Sequence, residues 1–396
     1  MSSKLMPPSS NLATPGSGRV WDGAIASTRS SERSHSARMT VDLGSIRRNW
    51  QWLADIAGGA EVAGVVKANA YGCGLGPVAQ TLRAAGCRTF FVAHLHEAIA
   101  LRGVIGKETI YALHGLFPGT EGLYVKHMIR PVLTSVLQVK QWSDVGNLDG
   151  RLPAAVHICT GMHRSGISLD NGVADIKGVV ASNQDKFDLL MSHLACADEE
   201  VDLRSQRQLE LFRSVARELP ELRASIAATA GCLNGREFHL DLIRAGIGLY
   251  GANPLSWKPN PFRSAVSLTA RVIELRKARA GEYVGYGNDF CLPADTTLAL
   301  VSIGYADGLP RRLQDESGRR VSFYFDDEPL TVVGRVSMDL CVLVVPSGID
   351  RRLHVGEEVE IVGKRQSLNE LATRLTTIPN EILTSFGERV DREYVS

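Results

Sequence analysis

Several features that mark whole classes of protein are missing from this chain of 396 residues. Its seven cysteines include no C-x-x-C pair, and an odd, scattered set argues against a disulfide framework and for a reducing compartment. Charge of one sign is missing too. Lys and Arg number 44 against 43 Asp and Glu, interspersed, so the +1 balance lacks the basic footprint of a nucleic-acid binder. No apolar run approaches the roughly 20 residues that span a bilayer, so no membrane partner is expected and a cytoplasmic location is. Residues 1–38 have few large apolar residues and no apolar core that would make a secretory signal. They are rich in Ser, Gly and Pro, and Arg19, Arg29, Arg33 and Arg38 among the serines give a faint likeness to an organelle transit peptide. The composition favours a disordered extension or a misassigned start.

The rest of the chain is ordinary for a globular protein, with 44% hydrophobic and 22% charged residues, and is long enough for two domains. From about residue 40, strand-like and helix-like runs alternate. Ile46, Trp50 and Leu53 lie on one helix face, stopped by Gly58 and Gly59. Short apolar runs follow at 64–67, 89–93, 109–113, 131–134, 154–158, 189–193, 223–227 and 242–244. Helical stretches such as 97–101 and 206–218 separate most of them, and Pro77 and Gly86 bracket another. Alternation on this scale implies parallel strands with crossover helices. Eight units over residues 39–262 point to an α/β fold of the (β/α)8 barrel type, with a doubly wound sheet as the alternative. After residue 262 the pattern changes. Val266, Leu268, Ala270 and Val272 alternate at period two, and strand-like runs at 297–303, 320–325, 330–333, 339–344 and 358–362 follow closely. Residues 263–396 therefore read as a mostly-β second domain, ending with a helix at about 367–375 before Pro379.

In such a barrel the chemistry collects where strands end, so the residue after each strand is informative. The first strand runs into Lys67 and a glycine-broken loop carrying Tyr71. Two readings stand: a solvated lysine capping a strand, or an amine delivered to a carbonyl, with pyridoxal phosphate as the obvious partner. The fifth strand leads into Thr160-Gly161-Met162-His163-Arg164-Ser165-Gly166, and the sixth ends in Ser192-His193. The last two lead into glycine-bearing loops at Thr229-Ala230-Gly231 and Ala245-Gly246-Ile247-Gly248, where such barrels often hold phosphate. Arg244 lies between Ile243 and Ala245 and needs a partner if buried; a salt bridge to Asp241 and contact with a pyridine nitrogen are the two readings. His193 reads as a core histidine or a site residue, and His114 and His157 as core histidines. In the second domain, Tyr286 between Gly285 and Gly287 is a turn tyrosine or a positioned phenol. Tyr305 and the Met338-Asp339 pair lie in polar turns whose composition alone makes neither catalytic.

Taken together, VVKANAYGCG, TGMHRSG, SHLACADE, RAGIGLYG, YGND, IGYADG and GRVSMD, in this order, resemble the alanine racemases, two-domain enzymes of fold type III that use pyridoxal 5'-phosphate. The resemblance covers roughly residues 38–396. It implies interconversion of L- and D-alanine, supplying D-alanine for peptidoglycan. Lys67 would hold the cofactor as an internal aldimine and serve as one base. Tyr286 would be the opposing base, arriving from the second subunit of a head-to-tail homodimer; two bases on opposite faces are what racemisation requires. Arg164 and the Met338 backbone would bind the substrate carboxylate, with Tyr305 at the mouth and Asp339 nearby. His193 would pack near the cofactor ring, Arg244 would meet its nitrogen, and Tyr71, Thr229, Gly246 and Ile247 would contact the phosphate. No metal is implied.

Some positions depart from the family pattern. His157 stands where many members carry a carbamylated lysine, Cys159 where aspartate is usual, Ala228-Thr229 for Asn-Ser, Cys73 for a common histidine, and Phe386 for a tyrosine. None removes a base. A racemase with broader preference, a decarboxylase on the same fold, and a cofactor carrier are the rival readings.

Overall fold

Eight short parallel strands make the first half of the chain. The computed structural model describes residues 36–145, 152–200 and 203–396. The expected extension lies outside the described residues up to residue 35, and the next elements begin at once with β1 (Ala37–Asp42). The parallel strands are β2 (Glu61–Val65), β3 (Thr89–Val92), β4 (Thr109–Ala112), β5 (Arg130–Leu133), β6 (Ala154–His157), β7 (Phe187–Met191), β8 (Arg223–Ser225) and β9 (Leu242–Ala245). They run in the order β8-β7-β6-β5-β4-β3-β2-β9. A bridge between Ala228 and Arg244, and the Arg244 N–H donated to the Ala227 carbonyl at 3.0 Å, join the two ends of that order. The strands of β3 and β6 are buried at every residue, as strands covered on both faces must be. This is the eight-unit barrel the alternation implies, rather than a doubly wound sheet.

Helices lie between the strands. Leu43–Ile56 is capped by Asp42, whose side chain accepts the Ser45 N–H at 2.8 Å, and Ile46 and Leu53 are buried on its inner face. Leu75–Ala85 starts two residues before Pro77 and stops at Gly86, which has φ +115° and takes the left-handed terminus only glycine adopts freely.

The second half forms another eight-stranded sheet. Its strands are β10 (Val266–Ala278), the hairpin β11 (Tyr283–Val284) and β12 (Phe290–Cys291) beside it, then β13 (Thr296–Val301), β14 (Ser322–Phe325), β15 (Glu328–Val333), β16 (Cys341–Val345), β17 (Glu358–Val362) and β18 (Asp391–Val395). The order is β13-β16-β15-β14-β17-β10-β1-β18, and β13 also pairs with β10, so six strands close on themselves. The long strand β10 makes this possible: its first half pairs with β1 and β17, its second half with β13. Residues 39–42, which the alternation assigns to the barrel segment, thus belong to the other sheet. Met39 and Val41 are fully buried there. Helices Leu368–Arg374 and Pro379–Ser385 pack on this half; Ser367 and Glu370 cap the first and Pro379 opens the second.

Candidate active site

Lys67 follows β2 after a single residue, Val66, at the C-terminal face of the barrel. The ladder ends when the Val66 N–H donates to the Phe91 carbonyl at 2.9 Å. The chain then turns left-handed through Ala68, Asn69, Ala70 and Tyr71, with φ between 53° and 54°. Four consecutive non-glycine residues in that region cost about 1–2 kcal/mol each, so local preference does not dictate this turn. It leaves Lys67 half-buried at this end of the strand. Burial lowers the Lys67 pKa, Arg164 and Arg244 lower it further, and Glu97 opposes them.

Arg244 sits on β9 at 4% exposure. Its guanidinium donates to the Ser225 hydroxyl at 2.5 Å, to the Ser192 and Ile226 carbonyls at 2.6 and 3.2 Å, and lies 3.2 Å from His193 Nδ1. It makes no ion pair with Asp241, whose carboxylate accepts the Ala224 N–H at 2.7 Å instead. Burial brings its pKa down to about 9, which leaves it charged at neutral pH. The bonds leave Nε and one Nη1 hydrogen without an acceptor among the described residues. His193 is kept neutral, first by burial and then by Arg244 and Arg164.

One small cleft is shared by Arg164, His193 and His157 with Cys159, Thr160, Met162, Ser165 and Ser192. His157 is 9% exposed, and burial, Arg244 and Arg164 push its pKa down to about 4. Cys159 Sγ accepts the His163 N–H at 3.3 Å, and Arg164 itself is exposed. Gln208 ties the cleft wall together: its amide donates to Thr160 Oγ1 at 3.1 Å and to the His193 carbonyl at 2.9 Å.

The two glycine-bearing loops converge. Thr229 Oγ1 accepts the Gly246 N–H at 3.1 Å and the Gly248 N–H at 3.4 Å. Ile247 is buried beside them, and Tyr71 stacks on Tyr250 with ring centroids 4.6 Å apart. A Cβ on Gly246 would stand 2.7 Å from Tyr71 Oη, so the glycine keeps that space open. The Tyr71 phenol is pushed up to about 12 by burial and stays protonated.

Tyr286, Tyr305, Met338 and Asp339 lie in turns of the second half. Tyr286 occupies the β11–β12 turn between Gly285 and Gly287, at φ +76° and +75°, backbone that glycine alone takes freely. The Tyr305 and Ala306 N–H groups donate to the Ser337 and Met338 carbonyls at 3.0 and 2.9 Å, which fastens the two turns side by side. Arg389 bridges Asp307 and Asp339 at 2.9 and 2.8 Å. Tyr283, Tyr286, Tyr305 and Met338 are 59%, 65%, 41% and 52% exposed. No hydrogen bond or ion pair among the described residues links this group to Lys67, Arg244 or Thr229. The structure thus brings the barrel residues together and shows Tyr286, Tyr305 and Met338 exposed on turns of the other half.

One residue went unread in the sequence. Glu97 Oε1 accepts the Ala68 N–H at 2.6 Å, directly after Lys67. The signal available was its place three residues after His94, a helix-capping spacing.

Two family descriptions match the chain in order: the alanine racemase N-terminal domain over residues 41–254 and the C-terminal domain over 265–394. The chain belongs to the alanine racemase family. Among curated members, the alanine racemase of Methylobacterium nodulans is 41% identical over 363 residues, spanning 91% of this chain and 97% of that protein. The catabolic alanine racemase of Agrobacterium fabrum is 40% identical over 367 residues, or 91% and 92%. The crystal structure of alanine racemase from Bartonella henselae, with covalently bound pyridoxal phosphate, superposes with a TM-score of 0.85 at 34% identity, covering 91% of this chain and 99% of that one. The biosynthetic alanine racemase of Pseudomonas aeruginosa gives 0.82 at 31%, covering 91% and 100%. Alanine racemases are isomerases, and the barrel followed by a mostly-β half is the architecture of these neighbours.

Proposed function

We propose that this alanine racemase interconverts L- and D-alanine with pyridoxal 5'-phosphate held covalently by Lys67, as a head-to-tail homodimer. The observation that carries the reading is Lys67 itself. A half-buried amine follows a barrel strand, with its pKa lowered by burial and two arginines. The residues fit the cofactor. Gly246 keeps open a space that a Cβ would fill against Tyr71, and the buried Arg244 has donors to spare.

When bound, pyridoxal phosphate supplies an electron sink that acidifies the α C–H of the amino acid attached to it. The Lys67 amine takes or returns the proton on one face of the α carbon. The phenol of the partner subunit's Tyr286 serves the other face. Arg244 would donate to the pyridine nitrogen and, remaining protonated itself, would leave that nitrogen unprotonated, which would moderate the sink. Arg164 and the Met338 N–H hold the substrate carboxylate, with Tyr305 and Asp339 at the mouth. His193 packs by the ring as a neutral imidazole. Tyr71, Thr229 and the Gly246 and Ile247 N–H groups would hold the phosphate.

The exposed cluster of Tyr283, Tyr286, Tyr305 and Met338 supports a second copy as its cover, since large exposed apolar patches mark interfaces. In this arrangement residues 39–262 carry the cofactor and 263–396 complete the partner's site. A cytoplasmic location suits seven cysteines without a disulfide, and no helix among the described residues is long and apolar enough to cross a membrane. The biological role is D-alanine supply for peptidoglycan. A catabolic role is the second reading, favoured by relatives described as catabolic in Agrobacterium fabrum and Mesorhizobium japonicum. D-alanine auxotrophy on deletion supports the first; growth on alanine alone lost with the gene supports the second.

The test is racemisation of L-alanine by the cofactor-loaded protein beside Lys67→Ala. D-alanine from wild type alone supports the reaction and the amine together. Faster turnover of serine than of alanine, or release of carbon dioxide, would replace this reading with a broader racemase or a decarboxylase.

A further inference from the structure

The near end of the left-handed turn behind Lys67 is pinned by the side chain of Glu97. Its carboxylate works in two directions. Oε2 accepts the Ala93 and His94 N–H groups at 2.8 and 3.0 Å, capping helix Leu95–Arg102. Oε1 reaches the preceding barrel unit and accepts the Ala68 N–H at 2.6 Å. Ala68 is the first of the four left-handed residues. Such backbone is unfavourable for L-residues and persists only when its ends are anchored. The far end has its own anchors: Asn69 Oδ1 accepts the Leu75 N–H at 2.8 Å, and the Gly74 N–H donates to the Asn69 carbonyl at 2.9 Å. At the near end, Glu97 is the only side chain seen to hold the amide that follows Lys67, among the described residues. Its negative charge also acts on the amine against Arg164 and Arg244, and His114 and His193 interact with the same amine.

We propose that Glu97 is a positioning residue for Lys67: one carboxylate oxygen fastens the strained turn to the barrel, so the amine is presented at a fixed place, and its negative charge offsets the two arginines. This rests on the reading of Lys67 as the cofactor-holding amine. A helix cap needs only Oε2. Glutamine serves that cap as well as glutamate does, but has a single acceptor oxygen and cannot also take the Ala68 N–H.

The experiment compares wild type with Glu97→Gln in the full chain. Three quantities are read: thermal unfolding, the titration of ¹³C-methylated Lys67 in the cofactor-free protein, and affinity for pyridoxal phosphate by absorbance. Lys67→Ala identifies the Lys67 signal. The expected result is a melting point close to wild type, Lys67 titrating at lower pH, and cofactor affinity down roughly tenfold or more. Lys67 titrating as in wild type with unchanged affinity would reduce Glu97 to a helix cap and overturn the proposal. If Glu97→Gln does not fold, Ala68→Gly is added, since glycine takes the left-handed turn freely. Recovered folding and binding support the proposal, and recovered folding without recovered binding, or no recovery, overturns it. The borohydride-reduced cofactor adduct is also mapped in wild type. An adduct on a different lysine would sink the reading of Lys67 itself, a failure distinct from unchanged behaviour in Glu97→Gln.

Discussion

His157 makes the stability of this protein depend on pH in a calculable way. The imidazole is 9% exposed at the end of β6, and burial, Arg244 and Arg164 bring its pKa from 6.5 down to about 4. Between those values the unfolded chain binds a proton at this position and the folded chain does not. Stability therefore rises with pH across the window; it is complete above 6.5 and is lost progressively as pH falls toward 4. The full shift corresponds to about 3 kcal/mol, and between pH 7 and pH 5 the loss is about 2 kcal/mol. His193 is depressed by the same causes and pulls in the same direction. His157 itself adds to the depression of His193, so replacing it changes both imidazoles, and the comparison reads His157 together with its effect on His193. The assay is urea unfolding of cofactor-free wild type and His157→Gln at pH 7 and pH 5. The stability lost on acidification should be about 2 kcal/mol smaller in the variant. Parallel losses in the two proteins would refute the reasoning, because they would mean that His157 titrates alike folded and unfolded.

Other substitutions test other parts of the site. Gly246→Ala places a Cβ 2.7 Å from Tyr71 Oη and should cost about 1–3 kcal/mol while weakening cofactor binding, read by urea unfolding and by absorbance titration. Thr229→Val removes the acceptor of two buried N–H groups at nearly constant shape; a loss of about 1–3 kcal/mol is expected in cofactor-free protein, and an unchanged midpoint would contradict the bonding described. Gly304→Ala drives a Cβ into the Met338 carbonyl and should lower activity by parting the turns that carry Tyr305 and Met338, measured as kcat and KM for L-alanine. Mixing Lys67→Ala with Tyr286→Phe tests the shared site: hybrid dimers hold one intact Lys67–Tyr286 pair, so activity should reappear on mixing, and continued inactivity of well-exchanged hybrids would argue for sites built within one chain.

The barrel was legible because its strands are buried on both faces. The runs at 89–93, 109–113 and 154–158 read as mostly apolar, the last broken only by His157, and they became β3, β4 and β6 almost residue for residue. Period-two burial over 266–272 marked β10, since one face of that strand meets the core and the other does not. The glycine-bearing loops at 229–231 and 245–248 were likewise visible, because glycine is needed where backbone must leave room for another group. Lys67 was visible as a lone cation at a strand end, though the strand stops at Val65 and the turn after it gave no warning of its left hand. Alanine and asparagine do not choose that conformation unaided; Glu97, 29 residues later, helps to impose it.

Local order, then, follows from neighbours a few residues apart: the alternation of strand and helix, the caps at Asp42 and Ser367, the breaks at Gly86 and Pro379. Contacts between distant segments follow no such periodicity. The pairing of β1 with β10 and β18 joins residues 37–42 to partners beyond 265, and nothing within β1 marks the sheet it joins. Arg244 is bound by Ser192 and His193 after one strand and by Ser225 and Ile226 at the end of the next, and that enclosure both holds its charge and aims its free donors. Burial and the arginines near Lys67, His157 and His193 exist only once the strands have closed, because desolvation and Coulomb coupling depend on distance in space rather than along the chain.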